Sequence, residues 1–345
     1  MAVFGVPDST WRGRVILFVV AIAFGCAPAA AADRDGDVRT LEMDAWSIPT
    51  FRLGSGATRF GPFDYMGGLH LSSQNAAFGG LSAFRLLADG ERFLAVSDSG
   101  YWVTGRLVRD AEGRLTGVEG ATITALRAAD GAVVQSRYAV DAEGLAVDGD
   151  EVLVSFERDH RIEVFSLSGV PAAAPLLRVP HPIPRHEFRR NRGMETVAVA
   201  PSGTPLDGAA IVVSERSLNP AGDLFAAIVR GAEPGVFFVR RHPPFDVTDG
   251  TFLPNGDLLL LERRFSPARG VGMRIRRIRG ADIRPGQTVD GQVLLDVDGR
   301  YQIDNMESIE VYRATDGTMR MLLVSDDNHS LLQRTLLLEF RFDDR

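Results

Sequence analysis

Short apolar runs separated by polar breaks fill the chain beyond residue 80. The clearest are FLAVS (93–97), EVLVSF (151–156), RIEVF (161–165), AAIVVS (209–214), GVFFVRR (235–241), DLLLLE (257–262) and MRMLLVS (319–325). They are rich in β-branched and aromatic residues and bounded by Gly, Asp, Asn or Pro, which predicts strands. Asp89-Gly90, Asp148-Gly149, Asn255-Gly256 and Asp316-Gly317 each stand between two such runs, which predicts hairpins. No stretch sustains a helical period, and residues 220–230 read as either a strand or a short helix. The lack of strands alternating with long helices argues against a βαβ fold.

The runs repeat as larger units. GGLSAFRLLADGERFLAVSD (79–98), AEGLAVDGDEVLVSFER (142–158), GMETVAVAPSGTPLDGAAIVVSER (193–216), TDGTFLPNGDLLLLERR (248–264) and NMESIEVYRATDGTMRMLLVSDDN (305–328) share one plan. An apolar run opens on a small or acidic residue, and a second run ends on an acid. The starts Leu81, Glu143, Glu195, Asp249 and Glu307 lie 52 to 62 residues apart. A hairpin repeat of this length predicts an all-β propeller. Residues 101–141 and 166–192 are expected to hold outer strands and loops. Residues 38–73 and 335–342 also carry strand-like runs, which predicts one more blade built from both ends of the chain. Six blades is the expected count and five the alternative, in a single domain over residues 33–345.

Residues 1–32 read as a secretory signal peptide: Arg12 and Arg14, an apolar run over 15–25, then alanines up to Ala32. The run is shorter than the ~20 residues a membrane span needs. Cleavage after Ala32 removes Cys26, the single cysteine; lipoprotein processing at Cys26 is the rival reading. The expected location is the periplasm or the medium, with no membrane span after cleavage and no disulfide. The net charge is −7, and loss of Asp8, Arg12 and Arg14 takes it to −8. An acidic chain argues against nucleic acid as a partner. There is no lysine, which excludes a lysine Schiff base and a Walker-type phosphate loop.

In a propeller blade the first strand runs along the central channel and the second runs back. The start of one and the end of the other therefore share a face. Glu143 with Glu157, Glu195 with Glu215, Asp249 with Glu262, and Glu307 with Asp326 become pairs on that face, and Asp98 closes the first repeat. Carboxylates so gathered repel unless a cation or protons neutralise them. Oxygen ligands suit Ca²⁺, with another divalent cation as the alternative. The candidate metal ligands are Asp98, Glu143, Glu195, Asp249, Glu307 and Asp326. The rival reading pairs each acid with the arginine beside it, as in Glu157-Arg158, Glu215-Arg216 and Glu262-Arg263. His160 and His329 both follow acid-rich strand ends, as ERDH and SDDNH, where either could serve as a general base. Arg185, Arg189, Arg190 and Arg192 precede the third repeat's first strand, and Arg263, Arg264 and Arg269 follow the fourth repeat. The candidate catalytic set is Glu157, Arg158, His160, Arg192 and Arg263. A serine nucleophile has no G-x-S-x-G context here.

FLAVSDSG, DAEGLAV with LVSFERDHRI, NRGMETVAV, DVTDGTFLPNGDLLLLERRFSP with RIRRI, and DNMESIEVY with VSDDNHSLLQRTLLLEFRF resemble the phytase-like family, "esterase-like activity of phytase". The matching stretches cover roughly residues 60–342. The resemblance implies a secreted β-propeller that hydrolyses phosphoesters or carboxylic esters at the channel mouth. The expected partner is a small anionic or ester substrate, and the expected state a monomer. Calcium-dependent propeller phytases surround phosphate with lysines and arginines, and the lack of lysine sets this chain apart from them. A non-catalytic binding scaffold with a structural cation and a gluconolactonase-like lactonase are the alternatives.

Overall fold

The five repeats fold as five antiparallel sheets. The computed structural model describes residues 36–189, 192–268 and 270–342; the segment read as a signal peptide, with Cys26, lies outside them. The inner strands are Leu81–Leu86, Ala142–Asp148, Met194–Val199, Asp246–Phe252 and Asn305–Arg313. Each packs against the next, and the last packs against the first, so the ring closes. Each inner strand starts one blade, numbered here one to five, and the second strand pairs with it antiparallel. The predicted hairpins join these two strands in blades one, two, four and five. Residues 220–230 resolve as a strand, Leu224–Arg230, the third of blade three.

The period-two pattern explains why blades pack on both faces. In blade four, Leu258 and Leu260 join a cluster shared with blade three, while Leu259 and Leu261 join one shared with blade five. In blade five, Met321 and Leu323 face blade four, and Leu322 and Val324 face blade one. Apolar clusters of this kind fill all five interfaces between neighbouring blades. A strand buried on both faces must read as a continuous apolar run, as DLLLLE and MRMLLVS do.

The two chain ends pair as expected, but not as a sixth blade. Thr335–Phe342 runs antiparallel to Phe63–Ser72, and Asp44–Ile48 lies beyond it. Thr335–Phe342 also pairs with Met319–Asp326, the second strand of the fifth repeat. All belong to one sheet, so the blade count is five. The fifth repeat supplies only two strands of its own, and an unpaired edge is filled by the chain ends. This closure welds both ends into one blade. Arg39–Thr40 extends the outer edge of blade one against Leu115–Ala125. Among the described residues, no helix is long and apolar enough to cross a membrane.

Candidate functional site

Each inner strand carries one extra residue near its start. Pairing jumps between Leu81 and Ala83, between Met194 and Thr196, between Val247 and Asp249, and between Met306 and Ser308. In blade two, Glu143 and Gly144 lie between the paired residues Ala142 and Leu145. Ser82, Glu143, Glu195, Thr248 and Glu307 are therefore equivalent. A bulge bends the strand and re-aims a side chain. Gly144 leaves room for this: a Cβ there would lie 2.5 Å from the Glu195 carbonyl oxygen and 2.7 Å from Ser155 Oγ.

The ends of the second strands form a companion set. The amides of Asp98, Glu157 and Glu215 donate to the carbonyls of Gly80, Asp141 and Gly193. Arg263 and Asp326 pair with Asp246 and Asn305 in the same register. Asp98, Glu157, Glu215, Arg263 and Asp326 are thus equivalent. Two rings of five result, with seven carboxylates in ten places. Asp141 joins them from the strand entry of blade two.

Asp141, Glu143 and Glu157 each place one oxygen within 4.8 Å of the others. Glu157 is 5 % exposed and Asp141 8 %. Burial and then the charges of Glu157, Asp141, Asp98 and Glu307 raise the Glu143 carboxyl well above its usual range. Glu195 rises likewise, through burial and then Glu143, Glu215 and Glu157. Glu157 is pushed up to about 7 by burial, although it accepts a hydrogen bond of 2.9 Å from the Gly193 amide. Glu307 is also pushed up to about 7, chiefly by burial and against the pull of Arg263. Asp326 rises through burial and then Glu307 and Asp98. Asp98 Oδ1 and Asp326 Oδ1 are buried with no hydrogen-bond partner.

The nearby arginines do not pair with the acids beside them in sequence. Arg158 binds Asp141, and Arg216 binds Asp246. Arg192 lies 3.4 Å from Glu215. Arg263, the cation in the second ring, stands 3.3 Å from Glu307 and 4.0 Å from Glu215. The negative charge of the rings and Asp141 exceeds what Arg158, Arg192 and Arg263 supply.

Two residues from the predicted pairs are elsewhere. Asp249 follows the bulge of blade four rather than occupying it, because Thr248 is the equivalent residue. It is completely buried and takes a two-pronged hydrogen bond from Arg85, 2.8 Å on each oxygen. Ser308 Oγ and the Ile309 amide also donate to it, at 2.9 and 3.0 Å. No lone pair is left for a metal, so Asp249 is a structural anion and not part of the mouth. Glu262, one residue short of the ring position, is buried against Arg276 at 2.6 Å. A one-residue shift in a strand sends a side chain to the other face.

His160 stacks on Phe188 with centroids 4.4 Å apart, and His181 meets that ring edge-on. Burial, His181 and Arg185 lower its pKa, which favours neutral imidazole. It sits behind Gly193, where a Cβ would lie 3.0 Å from both Glu157 Cγ and His160 Nδ1. His329 is exposed, and its Nε2 lies 3.3 Å from Ser99 Oγ. Asp141 and Ser99 escaped sequence reading. Asp141 could have been found as the first acid of the DAEG stretch, two residues before Glu143.

A cleft of about 840 Å³ between blades one and two reaches the mouth at Arg158. Its walls include Leu126, Tyr138, Phe156, Leu177 and Arg161. At the other end of the channel, a smaller cavity of about 360 Å³ is lined by Arg85, Glu310 and Gly250 among others.

The family model described as "Phytase-like: Esterase-like activity of phytase" matches residues 76–329. No curated protein matches the sequence. An endo-arabinase from Bacteroides thetaiotaomicron is similar in structure with a TM-score of 0.46 and 8 % identity, covering 76 % of this chain and 94 % of that one. The PQQ-bound aldose sugar dehydrogenase of Streptomyces coelicolor has a TM-score of 0.39 and 11 % identity, covering 86 % and 98 %.

Proposed function

We propose that this chain, which belongs to the Phytase-like family, holds one divalent cation at the carboxylate mouth and hydrolyses phosphoesters or carboxylic esters there. The observation that carries this reading is the convergence of Asp141, Glu143 and Glu157 within 4.8 Å. Oxygens bound to Ca²⁺ at about 2.3–2.6 Å can stand up to about 5 Å apart across the ion. The donors are all hard oxygens, and the excess negative charge asks for a cation. Asp141, Glu143 and Glu157 would hold it, with Glu195 beside them. When bound, such an ion supplies a Lewis acid and lowers the pKa of a water.

The chain's own groups supply the rest. Arg263 and Arg192 place fixed positive charge beside the acids, where an anionic group can be steadied. Arg158 belongs to both the mouth and the cleft, so it can orient a substrate lying across the two. The apolar cleft wall suits an ester with a hydrocarbon or aromatic portion. The leader read over residues 1–32 supports a site of action in the periplasm or the medium.

Metal content of the purified chain, with melts in calcium and in chelator, tests the reading. One Ca²⁺ per chain is expected, lost together with the calcium-dependent rise in melting temperature in a Glu143→Gln/Glu157→Gln variant. Wild-type metal content and hydrolysis in that variant would overturn it. Stoichiometric Ca²⁺ with no hydrolysis of any ester or phosphoester would make the chain a binding scaffold.

A further inference from the structure

Two turns meet at the edge of the mouth, one from blade one and one from blade five. The first is Ser97-Asp98-Ser99-Gly100, closed by the Gly100 amide on the Ser97 carbonyl at 2.9 Å. Ser97 Oγ accepts from the Tyr101 amide at 3.1 Å, which fixes the exit of the turn. The second contains Asp327, Asn328 and His329. Asn328 and His329 both have left-handed backbones, with φ of 48° and 49°. Such a conformation costs a non-glycine residue on the order of 1 kcal/mol or more, and such residues gather at functional sites. The strain serves an orientation here: the imidazole is turned across the blade boundary toward Ser99.

Ser99 Oγ and His329 Nε2 lie 3.3 Å apart. In the tautomer with its proton on Nδ1, Nε2 accepts from the serine hydroxyl. A Cβ on Gly79 would sit 2.9 Å from His329 Nδ1 and 2.6 Å from Asp327 Oδ1, so both atoms border one gap. The amide of His329 donates to the same Asp327 oxygen at 3.0 Å, which ties the turn to the carboxylate. Gly79 and Gly80 have φ of 126° and 63°, and any side chain there would strike Asp327, His329 or Asp98. Two consecutive glycines thus leave the space beside the pair open.

We propose that Ser99 and His329 form a nucleophile–base pair for carboxylic esters, with Asp327 as a positioning residue. This pairing rests on the hydrolase reading above and names its acyl-transfer machinery. Ser99 Oγ bonds to the ester carbonyl carbon while its proton passes to His329 Nε2. The carbon–oxygen bond to the alcohol breaks, and the departing oxygen takes that proton. Water then attacks the acyl–serine, gives its proton to His329, and releases the carboxylic acid with the hydroxyl restored. Water is the one co-reactant.

The probes are p-nitrophenyl acetate and a fluorophosphonate. The wild-type chain should take one phosphonate label, at Ser99 by peptide mass. Ser99→Ala should take none and hydrolyse p-nitrophenyl acetate at least ~100-fold more slowly, and His329→Gln should label and turn over ~100-fold or more slowly. Both variants should keep wild-type calcium content and melting temperature. Asp327→Asn should lower kcat while leaving KM near the wild-type value. A wild-type chain that neither hydrolyses the ester nor takes the label overturns the proposal, as does Ser99→Ala at the wild-type rate. Calcium without a Ser99 label sinks the pair alone; a labelled Ser99 without calcium sinks the cation reading alone.

Discussion

Asp249→Ala should lower the melting temperature by roughly 5–15 °C. The carboxylate joins blades that are not neighbours in the ring: it is carried by blade four and binds Arg85 of blade one, with Ser308 and Ile309 of blade five between them. Its removal strands a guanidinium that is 5 % exposed and frees the Ile309 amide. Breaking a buried pair from one side costs about 3–5 kcal/mol, because the remaining charge has no partner. Glu310, 3.5 Å from Arg85 Nε and pushed up to about 8 chiefly by burial, would recover part of that loss by ionising more fully. An Arg85→Met/Asp249→Leu double variant should lose much less than the two single losses together. Chemical-denaturant melts of the four proteins measure the coupling. Equal and additive losses would show that the pair does not tie the channel together.

The same residue shows where sequence reading stops. The period, the strands, the hairpins and the pairing of both chain ends were legible, because each depends on runs of apolar residues and turn chemistry. The bulges were not. A bulge adds a residue without changing the apolar pattern around it, so TDGTF and METVA read as the same opening. Only the ladder shows that Thr248, not Asp249, stands where Glu195 and Glu307 stand. The sixth blade failed for a related reason. Composition reveals strands at both ends of the chain, but the sheet they join depends on the unpaired edge left by the fifth repeat. Glu143, Glu157, Glu195 and Glu307 were found because topology alone gathers strand starts and strand ends.

That gathering has a consequence for pH. Glu157 and Glu307, both mostly buried, hold protons up to about pH 7, whereas an unfolded glutamate releases its proton near 4.5. Between those values the folded chain binds more protons than the unfolded one, so its stability falls as pH rises. The contribution is fully present below about 4.5 and lost above about 7, on the order of 3 kcal/mol for each group taken separately. Shared charge keeps the two from simply adding. In chelator, the melting temperature should therefore drop by roughly 5–10 °C between pH 5 and pH 8. Calcium held as proposed would change the sign of the pull, because a bound ion needs deprotonated carboxylates and takes the place of their protons. Its stabilisation should be small at pH 5 and several degrees at pH 8. Melts at three pH values, each with chelator and with millimolar calcium, compare the two slopes. Parallel lines would mean that the ion displaces no protons from these acids, and the cation would have to be sought away from Glu157 and Glu307.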